Sequence, residues 1–237
     1  MNKRDMYLDA LKGVSILMII LVHSDTSAFN GIIRTLLNSG AKGVQMFFIV
    51  STVLLLKSFD ISKGTELFST KKWILKKIIR FIPLYYLTII VYLIIPVDNM
   101  AEVSALNIVS HFLFLHGLNP YWINSFIAQC WYLGTLAILV VLTPLISKLI
   151  KNIEAAILLW GASWIFSIVC QKISFKCNGY SDYWLYSYYD VFSFISELPV
   201  ISIGIIIYLL VYKYNIIAAL KYGTKGVTTR HLAMEYY

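Results

Sequence analysis

Lys12 and His23 stand eleven residues apart near the start of the chain. Eleven residues at 100° each return to within about 20° of the starting face and advance roughly 16 Å along a helix axis. One stripe of a first helix would therefore carry a cation at its cytosolic rim and an imidazole near mid-depth. A histidine inside an apolar run is costly and is by default a functional group, although it can also simply hydrogen-bond a neighbouring helix. Imidazole titrates near working pH, so it suits a general base on a hydroxyl or a nucleophile that accepts an acyl group itself. With Lys77 and Arg80 added to Lys12 at the cytosolic mouth, the set suits acyl transfer from coenzyme A. Its phosphates would rest on the cations, and the extended pantetheine arm would bring the thioester to His23. Asp5, Asp9 and Lys12 also share a helix face, so Lys12 can form a rim ion pair with Asp9 as well. Asp25 faces another direction in a continuous helix and is not paired with His23.

The elements that must position these groups follow from composition. Of 237 residues, 59% are hydrophobic and only 14% charged, with a mean hydropathy of +0.74. That excludes a water-soluble globule, which needs roughly a quarter of its residues charged. The net charge of +8 sits at the ends of apolar runs and so excludes nucleic acid as a partner. Cys130, Cys170 and Cys177 have neither disulfide-framework nor metal-ligand spacing, and no metal is expected. The run Val14 to Val22 after Lys3, Arg4 and Lys12 has the look of a signal peptide, with Thr26-Ser27-Ala28 as its cleavage site. The apolar segments that follow favour instead a first span from about Asp9 to Phe29. Further spans are expected at Gly43 to Leu56, Phe81 to Val97, Ile127 to Ser147, Ala155 to Cys170 and Phe192 to Tyr212. Lys42 and Lys57 can snorkel to lengthen the second.

The uncharged stretch from Val103 to Leu118 is decided by the positive-inside rule. If it does not cross, 16 of 20 Lys and Arg fall in the cytoplasm; if it does, the number drops to 12. The expectation is therefore an all-α polytopic membrane helix bundle of about six spans, both termini cytoplasmic, with one re-entrant or interfacial segment. Such a segment must be covered by protein or line a watery cavity. Residues 1–212 form the membrane domain and 213–237 a polar tail. Lys57 to Arg80 carries seven basic and two acidic residues, and two readings stand: attraction to anionic lipid headgroups or a phosphate-binding mouth.

Five motifs in order resemble a known family. They are Leu8-Asp9-Ala10-Leu11-Lys12-Gly13 continuing to His23; Gly43-Val44-Gln45-Met46-Phe47-Phe48-Ile49-Val50-Ser51; Arg80-Phe81-Ile82-Pro83-Leu84-Tyr85-Tyr86; Leu115-His116-Gly117-Leu118-Asn119-Pro120; and Trp131-Tyr132-Leu133-Gly134 followed by Pro144. With Glu197-Leu198-Pro199 and Gly204, the pattern is similar to the membrane acyltransferase-three family of bacterial polysaccharide O-acetyltransferases. The resemblance implies an inner-membrane enzyme that moves an acyl group, usually acetyl from acetyl-CoA, to a hydroxyl of an exported polysaccharide or lipid-linked glycan such as O-antigen. It maps the family's first-helix Arg and His onto Lys12 and His23 and its paired basic residues onto Lys77 and Arg80. It puts Ser51, His116 and Trp131 on the substrate side.

Three departures accompany the match. Lys12 is a point charge and cannot reproduce a bidentate guanidinium contact. Thr52 stands where the family has Gly, so packing there must differ, and Leu136 stands where the family has Glu. Family members usually have about ten spans, so this sequence looks truncated, and a short chain could complete itself as a homo-oligomer. Hence a second class of function remains: an inactive homologue or membrane subunit that binds lipid-linked sugar or a partner. His111 and His116 are 140° apart on a regular helix and cannot both face one site, so His116 is the acceptor-side choice and His111 interfacial. The aromatic residues Tyr180, Tyr183, Trp184, Tyr186, Tyr188 and Tyr189 read either as a membrane-interface belt or as a sugar-stacking platform. Glu197 is a costly intramembrane charge that needs a cation, for which Arg34 is a candidate.

Overall fold

The computed structural model describes residues 5–24, 31–95, 104–125, 127, 130–178 and 182–215. Within them the chain forms helices and no strand. In order these are α1 (Met6–His23), α2 (Gly31–Asn38), α3 (Lys42–Lys63), α4 (Thr70–Ile79), α5 (Ile82–Ile94), α6 (Ala105–Phe112), α7 (Trp131–Leu149), α8 (Ile153–Asn178), α9 (Tyr183–Ser187) and α10 (Phe194–Tyr208). Five stretches are long and apolar enough to cross a membrane, namely Met6–His23, Gly31–Lys63, Trp131–Leu149, Ile153–Cys177 and Tyr183–Lys213. The pair α4 and α5, bent by 45°, makes a sixth if it is one broken span. The all-α polytopic bundle expected from the sequence is what the structure has.

The bend has a local cause. Pro83 in the first turn of α5 cannot donate to the carbonyl of Ile79, and its ring crowds that carbonyl, so α4 cannot run on as one straight helix. The 13 residues of α5 reach only about 20 Å, short of a hydrocarbon core of roughly 30 Å. α6 is shorter still at eight residues, and the segment from 104 to 118 holds no helix long enough to cross. The second span gains length at its C-terminal end, where α3 continues past Lys57 to Lys63.

α3 is the axis of the bundle, flanked by α1, α7 and α10, while α8 packs on the far side of α10. Phe48, Val53 and Leu56 of α3 join Leu139 and Val140 of α7 and Ile201 and Ile205 of α10 in the main core. A smaller core gathers Tyr85 and Ile89 of α5, Phe114, and Cys130 and Ala137 around α7. Close approaches around α3 need glycine. A Cβ on Gly43 would lie 2.7 Å from the Ser15 carbonyl of α1, and one on Gly204 would lie 2.7 Å from the Thr52 Cβ. The extra bulk of Thr52 is thus accepted by a missing side chain on α10, which is the altered packing the sequence anticipates.

α1 stops earlier than expected. Ser24 takes an extended conformation and both its N–H and its hydroxyl turn back to the Leu21 carbonyl, so His23 is the last helical residue and is exposed. The expectation of a mid-depth imidazole inside a longer helix is corrected: Lys12 is six residues into α1 and His23 closes it. Asp25 lies outside the described residues, as do Tyr180 and the tail from 216 onward.

Candidate functional site

Four helix ends meet around His23. The end of α1 and the first turns of α3, α7 and α10 enclose a cavity of about 700 Å³. His23 lines it with Lys42 and Gln45 of α3, Trp131 and Tyr132 of α7, and Glu197 of α10. Asn124 and the rings of Tyr183, Trp184 and Phe192 close the remaining side. Trp131 is held from both directions: its N–H donates to the Asn124 Oδ1 at 3.3 Å, and its ring lies 5.4 Å from that of Phe192. Helix N-termini carry partial positive charge, so three of them beside one cavity favour negative charge inside it. Two buried groups among the described cavity-lining residues lack any hydrogen-bond partner, the Tyr132 hydroxyl and Glu197 Oε2. Ser51 is buried on α3 beside the Tyr132 hydroxyl, one layer behind the wall.

Glu197 and Lys42 face a common space, because both also line a second cavity of about 400 Å³. The cation that shares these spaces with Glu197 is therefore Lys42. Arg34, the partner suggested by the sequence, is exposed on α2 and lines neither cavity.

The cations gather elsewhere. Lys12, Lys77 and Arg80 are close enough to act on one another electrostatically. Lys77 Nζ donates to Ser58 Oγ at 2.6 Å and sits 5.3 Å from the Trp73 ring. The Lys12 ammonium lies 5.5 Å from the Phe47 ring, which in turn meets the Tyr132 ring edge-on at 5.2 Å. The cavity that holds His23 contains none of the three cations; Arg80 opens on a separate one of about 300 Å³ with Tyr85 and Cys130. Phe47 is the link between them, touching Lys12 on one side and a wall residue of the His23 cavity on the other.

His111 and His116 overturn the sequence reading. Their rings stack with centroids 4.2 Å apart and planes at 5°, and both are fully buried. Helical spacing forbids this pairing, but α6 ends at Phe112 and Phe114 adopts φ 58°. That reversal swings His116, in a 3₁₀ turn, back beneath His111. His111 is thus a core residue and not an interfacial one. The Tyr85 hydroxyl donates to His111 Nδ1 at 2.8 Å, and His111 Nε2–H donates to the Trp122 carbonyl at 3.2 Å. His116 Nε2–H donates to the Cys130 carbonyl at 3.2 Å, leaving Nδ1 without a partner among the described residues. Burial pushes the His111 imidazole down to about 3, with help from its neighbour, and the His116 imidazole down to about 4, so both are neutral. The His116 loop packs on α7 without side chains between them: a Cβ on Gly134 would lie 2.7 Å from Gly117 Cα.

A family model described as an acyltransferase domain matches residues 5–220. The chain belongs to the acyltransferase-three family. No curated protein and no solved structure matches it. Membership makes acyl transfer by a multi-pass membrane protein the activity to account for. At position 136, where the resemblance implies a carboxylate, Leu136 is buried in the main core.

Sequence reasoning placed Trp131 and His23 on the chemistry without showing that they share a cavity. It missed Lys42, Asn124 and Tyr132 as lining residues, and Gln45 appeared only inside a motif. Lys42, Gln45 and Tyr132 share a position in the first turn of a helix, which becomes meaningful only once the helices are assembled, and Asn124 lies in the loop ahead of α7. Of the aromatic cluster, Tyr183 and Trp184 face the main cavity and Tyr189 the second. The Tyr188 hydroxyl donates to the Gly117 carbonyl at 3.0 Å and serves the fold.

Proposed function

We propose that this chain transfers an acyl group, acetyl in the first instance, from cytosolic acyl-CoA to a hydroxyl of an exported glycan or lipid-linked sugar. The observation that carries the reading is the His23 cavity: an imidazole, aromatic faces, amides and a carboxylate around a space of about 700 Å³, in a chain of an acyltransferase family. Aromatic faces with a few convergent polar groups suit a pyranose ring.

In this scheme the CoA phosphates sit on Lys12, Lys77 and Arg80 at the cation-rich end of the bundle, which faces the cytoplasm of a bacterial inner membrane. The thioester arm passes from the cations to the His23 cavity by way of Phe47, which stands between Lys12 and the wall residue Tyr132 and turns aside to admit it. His23 takes the proton of the acceptor hydroxyl as that oxygen bonds to the thioester carbon. The helix N-termini of α3, α7 and α10 favour the negative oxygen of the tetrahedral intermediate. The C–S bond then breaks, and the thiolate leaves with the proton held by His23. No metal enters the scheme. Ser51 supports Tyr132 from behind. His116, stacked on His111, acts by holding the Cys130 carbonyl at the start of α7 and not by touching substrate.

A second reading rests on Leu136: with an apolar side chain where the family has a carboxylate, the protein would be a membrane subunit that binds lipid-linked sugar or a partner without transferring acyl groups. The two are separated with the full chain in lipid nanodiscs, acetyl-CoA and a bacterial lipid-linked oligosaccharide. Acceptor-dependent release of free CoA thiol supports transfer. Sugar binding with no thiol release supports the subunit.

A further inference from the structure

Glu197 is the group the transfer scheme leaves unused, and its surroundings are unusual for a structural carboxylate. It is 4% exposed, yet its Oε2 has no hydrogen-bond partner among the described residues. An orphaned buried carboxyl oxygen is expensive. It belongs to the walls of both the 700 Å³ and the 400 Å³ cavities, together with Lys42 and Gln45. Glu197 lies in the first turn of α10. A buried carboxyl group with one oxygen left without a partner among the described residues, at a junction of two cavities, is set to receive a hydroxyl donor from outside the protein.

We propose that Glu197 is the acceptor-binding carboxylate of this protein, taking a hydrogen bond from a sugar hydroxyl that enters the His23 cavity. The inference rests on the proposed glycan acceptor and adds the residue that selects and orients it. Asn124 complements the contact. Its Oδ1 is engaged by the Trp131 N–H, so its amide N–H groups are left to donate to a sugar oxygen, while the Trp184 ring offers an apolar face. The second cavity, lined by Ser167, Gln171, Asp190 and Ser196, continues the polar surface beyond Glu197 and fits an adjoining sugar residue. Glu197 forms and breaks no covalent bond; it aims the hydroxyl whose proton passes to His23.

The test uses the full chain in lipid nanodiscs with methyl glycosides of glucose, galactose, rhamnose and N-acetylglucosamine as probes, read by tryptophan fluorescence. The wild-type protein is expected to give a saturable response to at least one of the four. Glu197→Gln, which keeps shape, and Glu197→Asp, which keeps the carboxyl group but withdraws it, are each expected to weaken that response about tenfold or more. Acetyl-CoA binding and the melting temperature should not fall in either. Unchanged glycoside affinity in folded variants would overturn the proposal, as would the absence of a response to all four glycosides in the wild type. Loss of melting temperature with affinity intact would assign Glu197 to the fold instead. Failure of the wild type to release CoA thiol would sink the transfer scheme while leaving the glycoside result to decide Glu197.

Discussion

Gly134→Ala tests whether the His116 loop sits on α7 as closely as described. The new methyl group would lie 2.7 Å from Gly117 Cα, 2.9 Å from Gly117 N and 3.0 Å from His116 Nε2. Two of these are backbone atoms that cannot rotate away, so the cost belongs at the upper end of overpacking, about 3 kcal/mol. Alanine's better helix propensity returns up to about 1 kcal/mol. The net loss of about 2 kcal/mol lowers the melting temperature by roughly 4–8 °C for a chain of this size. Gly13→Ala is the control, because a Cβ there meets nothing within 4 Å; it keeps the propensity gain and raises melting by roughly 2–4 °C. Gly117→Ala meets the same backbone from the other side, with a Cβ 2.8 Å from the Gly134 carbonyl carbon. The two losses should therefore combine to less than their sum. Thermal unfolding in nanodiscs followed by circular dichroism reads the wild type, the three single variants and the Gly117→Ala/Gly134→Ala double variant. If Gly134→Ala and Gly13→Ala shift melting equally and in the same direction, the close approach is wrong.

The buried imidazole pair predicts an acid-side loss of stability. Both rings have folded values below the ordinary 6.5, about 3 for His111 and about 4 for His116. The unfolded chain therefore binds more protons, and stability is present above pH 6.5 and is lost as pH falls from there through about 4. The melting temperature of the wild type should drop more steeply over this window than that of His116→Gln, which keeps a donor toward the Cys130 carbonyl. Equal slopes would show that the pair does not titrate on unfolding. Lys77→Ala and Arg80→Ala should each raise the KM for acetyl-CoA several-fold and leave the acceptor KM unchanged, read by thiol release at several acceptor concentrations. Phe47→Ala removes the ring between Lys12 and Tyr132 and should increase acceptor-independent hydrolysis of acetyl-CoA by admitting water along the donor path. An unchanged hydrolysis rate would remove Phe47 from that path.

The spans were legible because lipid leaves the sequence little freedom: each crossing must be a long apolar helix with its backbone satisfied internally. That rule located the bundle, while the expectation that 103–118 stays on one side came from the placement of Lys and Arg. Thr52 was legible as a packing change because side-chain volume is written in the sequence, although its partner Gly204 was not. The His111–His116 stack was not readable, since it depends on Phe114, a bulky residue, taking a positive φ that residue type disfavours. The end of α1 was equally hidden, because a single serine closing a helix gives a weak signal among apolar neighbours. The site was half visible. His23 and Trp131 could be singled out by type, but a cavity built from the first turns of three helices far apart in sequence exists only after they pack. The placing of Phe47 between Lys12 and that cavity is likewise a tertiary fact, since helical periodicity fixes a face and not what stands in front of it.

The most direct measurement compares wild-type and His23→Ala protein in inverted membrane vesicles supplied with labelled acetyl-CoA, following label into exported glycan. His23 is exposed at the end of α1, so the variant should melt as the wild type does while transfer falls roughly 10²–10⁴-fold. Undiminished labelling by folded His23→Ala protein would contradict the assignment of the chemistry to this imidazole and to the cavity it lines.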